Sequence, residues 1–139
     1  MNHFTTLALH CHEAEAPSRV LDGLIFKALR EEEGQVWYDQ IGEDDVWFLR
    51  DRDDHAAWEG PARYTEHLDE AFTTRVPGMR LSGMREFVRP DSADRSWKSC
   101  GCEIEALGLI FVGRGTTLAL AFLHATLQAH AHLQGTSEG

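Results

Sequence analysis

Gly113-Arg114-Gly115-Thr116-Thr117 is the stretch whose residue types come nearest to doing chemistry. Glycines let a backbone approach a ligand closely, and free amides at the start of a following helix, with two hydroxyls and an arginine fork, suit an anion. Arg80, Arg85, Arg89 and Lys98 lie on neighbouring segments, and Trp97 offers a stacking face, so a small nucleotide-like anion is the ligand these residues fit. The stretch is short for a phosphate loop and has no lysine after its second glycine. An ordinary strand-to-helix turn closed by a threonine cap uses the same residues. The candidate ligand-binding set is Arg114, Thr116, Thr117, Arg80, Arg85 and Trp97, with Arg114 taken as a surface residue whose loss would weaken the ligand and spare the fold.

His10-Cys11-His12 and Cys100-Gly101-Cys102 contain soft zinc ligands, but the usual knuckle places its cysteines three apart so that a tight turn aims both at one ion. Residues two apart in a strand share a side without that turn. No metal site is expected, and reduced, buried thiols with surface histidines account for both triplets. His124, His130 and His132 lie on or near one helix, where His124 faces Gln128 and not a second histidine. Ser96 and Ser99 lack an elbow motif, and the carboxylates fall in solvated runs, so neither a nucleophile with its base nor an acid pair is set up. The expectation is a protein that is not an enzyme and uses no cofactor. Trp37, Tyr38 and Trp47 form a fallback aromatic site, although tryptophans in so small a domain mostly belong to the core.

The elements that must position these residues follow from length, charge and periodicity. The chain has 139 residues, with 42% hydrophobic and 26% charged, which suits a single domain with one core. Its formal charge of -10 comes from the first 74 residues, whereas 75 to 114 hold a slight basic excess. Nucleic acid is therefore an unfavoured partner, and any anion-facing surface belongs to the second half. The longest apolar run, Ala106 to Val112, falls far short of the ~20 residues of a spanning helix, and the start lacks a basic region before an apolar core, so a cytoplasmic protein is expected.

Val20, Leu21, Leu24, Ile25, Ala28 and Leu29 define a helix beginning near Ser18, its cap, with residues 1–16 a separate arm in which Phe4 to Leu9 is an edge strand. Residues 35–54 read as a hairpin turning near Gly42 to Asp45, inside an acidic, aromatic stretch from 31 to 58, and Asp51 to His55 as a solvated run. Arg63 to Thr74 reads as a short helix capped by Thr65. Met79 to Arg89, Ser96 to Ile104 and Leu107 to Val112 read as antiparallel strands, followed by a helix from Leu118 to His132.

Leu21-Asp22-Gly23-Leu24-Ile25, the run Arg63 to Ala71, Val76-Pro77-Gly78 and the run Gly115 to Leu123, in this order and spacing, resemble small phage proteins of the phage ABA sandwich type, related to NinX. The likeness covers about residues 18 to 132 and departs from the pattern in the acidic insertion at 31–58. It implies an α+β fold, an α/β/α sandwich with a mainly antiparallel sheet covered by helices, and a phage protein in the host cytoplasm. It supplies no catalytic residues. The expected function is a non-enzymatic accessory protein that binds a small anionic nucleotide-like ligand, sequestering a host defence signal. The alternative is an acidic interaction module that docks on a host protein or mimics the charge of DNA, and a homo-oligomer is compatible with either.

Overall fold

The structure is a computed structural model and describes residues 3–32, 36–41, 46–51, 56–58, 62–88, 90–92 and 97–138. The chain opens on a helix, α1 (His3–Glu13), and not on the expected edge strand. Phe4, Leu7, Ala8 and Cys11 are spaced by three, one and three residues and are all buried, so the helical period wins over the short apolar run from Phe4 to Leu9. Phe4 stacks on His130 with ring centroids 4.9 Å apart.

Helix α2 (Arg19–Glu32) starts where its cap predicts, with the Leu21 amide donating to Ser18 Oγ at 3.2 Å. Its buried Asp22 accepts both the amide and the hydroxyl of Thr65 on Oδ1 at 2.8 Å, and Arg19 on Oδ2 at 2.9 Å. Thr65 is therefore not a helix cap. Its hydroxyl is held by Asp22 and Ser18, and the short helix α3 (Leu68–Ala71) begins three residues later, after His67. A 3-10 turn, Phe72–Thr74, completes this segment.

Two three-stranded antiparallel sheets follow. In the first, β1 (Val36–Ile41) pairs with β2 (Val46–Asp51) from Val36↔Asp51 to Ile41↔Val46, as the hairpin reading has it, while the turn at 42–45 lies outside the described residues. A third strand, β3 (Ala56–Trp58), adds to β2 just beyond the acidic run, unanticipated because three residues carry no alternation to read.

In the second sheet β5 (Cys100–Ala106) lies between β4 (Arg80–Glu86) and β6 (Leu109–Gly115). A two-residue turn joins β5 to β6, with both Leu107 and Gly108 at positive φ (57° and 76°), a backbone that matches strand twist and that Leu107 adopts only under strain. Cys102, Ile104 and Ala106 are buried while Glu103 and Glu105 face solvent, so the sheet has an inner and an outer face. Helix α4 (Leu118–Glu138), longer than the apolar pattern to His132, covers the inner face, and α1 packs on α4. The architecture is α+β, an antiparallel sheet covered by helices. Ile104, Leu120, Phe122, Leu123 and Leu127 are almost wholly buried at its centre.

Candidate functional site

Strand β6 runs through Gly113-Arg114-Gly115, so the stretch read as an anion-cradling loop is extended, hydrogen-bonded backbone. A Cβ on Gly113 would run into Ala121 O and lie 2.6 Å from Ala125 N, and one on Gly115 would lie 2.8 Å from Ala121 N. These glycines bring α4 onto the sheet. Alternation then turns Arg114 to the opposite, outer face.

There the Arg114 guanidinium lies 4.4 Å from the centre of the Phe87 ring and 5.8 Å from that of Trp97, and its terminal NH2 group donates to Lys98 O at 2.6 Å. Its buried Nε has no acceptor among the described residues. Gly101, opposite Arg114 on β5, leaves room for the aromatic wall, since a Cβ there would lie 2.8 Å from Phe87 Cε2. Arg85 reaches the same ring at 5.8 Å. The result is a cleft of about 250 Å³ whose lining includes Arg85, Phe87, Gly101, Glu103 and Arg114. Arg114 is half-buried and not the surface residue expected, so part of its contribution is to the fold.

The backbone of Arg114 is clasped from the other side. Its amide donates to His124 Nδ1 at 2.9 Å, and His12 Nδ1–H donates to its carbonyl at 3.0 Å. The two imidazoles lie 4.6 Å apart. Burial, with His12 beside it, pushes His124 down to about 4, so at neutral pH its single proton sits on Nε2.

The remaining expected residues are elsewhere. Arg80 pairs with Glu105 at 2.7 Å near the other end of the strand. Thr116 Oγ1 donates to Ala14 O at 3.3 Å, and Thr117 caps α4 by accepting the Leu120 amide at 3.1 Å, the ordinary role of a threonine there. The start of α4 opens onto a separate cleft of about 400 Å³, whose lining includes Glu66 and Glu86, carboxylates that disfavour an anion. Arg85, Trp97 and Arg114 are thus brought together, and Arg80, Thr116 and Thr117 are not. Arg89 and Ser96 lie outside the described residues.

Phe87 was missed. Its signal was an aromatic two positions from Arg85, on the same side of an extended segment. The histidine clasp was also missed, because His12 and His124 approach only through tertiary packing. Cys11, Cys100 and Cys102 are free and buried, and the described residues hold no cluster of three metal-ligating side chains. Burial raises Cys102 to about 11 and Cys11 further still. No protein-family model, no curated protein and no solved structure matches the chain.

Proposed function

We propose that the outer-face cleft binds a small anionic, nucleotide-like molecule. The observation that carries this reading is the half-buried Arg114 guanidinium, set beside Phe87 and Trp97 in the lining of the cleft, near a second cation at Arg85. Arginine forks hold phosphate and aromatic faces stack a base. Glu103, in the same lining, suits a ligand that also carries sugar or base donors. The role proposed is binding and not catalysis, since His124 spends Nδ1 on a backbone amide and buried His130 uses Nε2 to donate to Thr74 O at 2.6 Å. Sequestration of a host defence signal by a phage protein, the biological setting of the proposal, rests on the sequence resemblance.

Calorimetric titration with mononucleotides, cyclic nucleotides and inorganic phosphate tests the reading. Arg85→Ala, an exposed change, should weaken the best ligand by about 1.5 to 3 kcal/mol, the usual contribution of a charge-assisted bond. Arg114→Lys, which keeps charge but not the planar fork, should also bind more weakly. Absent heat across the panel, or unchanged affinity in both variants, would overturn it.

A further inference from the structure

A groove of about 790 Å³ lies between α1, α4 and the edge of β6, lined by Ala8, Leu9, Phe111, His124, Gln128 and Ala131 among others. Its volume is that of a small-molecule site, about 300 to 1,000 Å³. Most of the surface it exposes is apolar, although Thr5, Thr6 and His132 also line it, and Leu9 is 51% exposed.

Two polar groups in the lining have their identities fixed by what lies behind them. Gln128 Nε2 donates to both Val112 O at 2.9 Å and His124 O at 3.0 Å, so the nitrogen must face those carbonyls. That leaves Oε1 as an acceptor without a partner among the described residues. His124 Nδ1 accepts the Arg114 amide, which leaves Nε2–H as a donor without a partner among the described residues. Positions 124 and 128 are one helical turn apart and share a face, so an oriented donor and an oriented acceptor sit side by side in an apolar setting.

We propose that this groove is a second binding site, for an uncharged, mainly apolar small molecule carrying a carboxamide. The ligand's carbonyl accepts from His124 Nε2–H, its N–H donates to Gln128 Oε1, and its apolar part lies along Leu9 and Phe111. A carboxylate supplies no donor for Gln128 and loses hydration on entering an apolar groove. An ester supplies only the acceptor. The site is independent of the outer-face cleft, and either proposal can fail alone.

Octanamide, methyl octanoate and octanoate, each titrated into the full chain by calorimetry, test it. Octanamide should bind saturably, with the ester and the carboxylate each about tenfold weaker or more, as loss of one buried hydrogen bond implies. Gln128→Met, which keeps length and removes the acceptor, should weaken octanamide by about tenfold and leave the ester unchanged. Thr5→Trp, an exposed change that fills the groove, should abolish binding while leaving the melting temperature within a few degrees. No octanamide binding up to its solubility limit, equal affinity for the three probes, or full binding by Thr5→Trp with native circular dichroism would each overturn the proposal.

Discussion

Gly113→Ala tests the closest approach in the molecule. The added methyl group would run into Ala121 O and lie 2.6 Å from Ala125 N and 3.0 Å from Ala125 Cβ. Carbon contacts are comfortable at about 3.5 to 4.0 Å, and the obstacles include backbone that cannot rotate away, so α4 must retreat from the sheet by roughly 1 Å. Leu120, Leu123 and Leu127, all fully buried, lie on the helix that would move. A gap of that size forfeits a quarter to a half of each contact, which places the cost at the upper end of overpacking, about 3 kcal/mol. For a chain of this length that is roughly 10 to 15 °C in Tm. Thermal unfolding followed by circular dichroism measures it, with Gly83→Ala as the control, because a Cβ there meets nothing within 4 Å. The control should stay within about 0.5 kcal/mol of the parent. A Gly113→Ala protein that melts within about 3 °C of the parent, or a control that falls as far, would refute this placement of α4.

His124 is less readily protonated folded than unfolded, its value lowered from 6.5 to about 4. Its contribution is therefore complete above pH ~6.5 and is lost as pH falls toward ~4, and the urea midpoint should decline across that window. His124→Asn, which retains an acceptor for the Arg114 amide, should flatten the decline. Asp22→Ala strands the buried amide of Thr65, whose hydroxyl keeps Ser18, and should cost about 2 to 3 kcal/mol in urea unfolding, with Thr65→Val losing less because Asp22 keeps the amide. The three cysteines should resist a disulfide reagent in the folded chain and react together on denaturation, and a fast native thiol would contradict their burial.

The fold was legible where one period dominates. Helix α2 with its Ser18 cap and the apolar face of α4 form where the pattern places them, although Val20 and Leu24 of the expected α2 stripe are exposed and Phe26 is buried beside Leu21, Ile25 and Ala28, and β5 begins at Cys100 and not at Ser96. Residues 4–9 misled because Phe4 and the run Leu7-Ala8-Leu9 satisfy a short strand as well as a helical stripe, and Phe4 and Cys11, which decide the matter, take effect only against α4. Gly113 and Gly115 signal close backbone approach, and the sequence does not say whether a ligand or a helix makes it. The answer moved Arg114 to the other face of the sheet and parted it from Thr116 and Thr117. Asp22 and Thr65, read separately as a helix residue and a cap, form one buried clasp across 43 positions.

The side chains that clasp β6 also guard one edge of the second sheet against strand addition. Open strand edges recruit further strands, and the edge of β6 has its Val112 and Arg114 carbonyls and its Arg114 amide already engaged by Gln128, His12 and His124. Growth of the sheet at that side would have to dislodge two helices. Strand β4 has no such guard, since among the described residues its only strand partner is β5. Within this second sheet, strand addition would therefore be favoured at β4 alone, and two copies joined edge to edge through β4 would present guarded β6 strands at both outer edges of the doubled sheet.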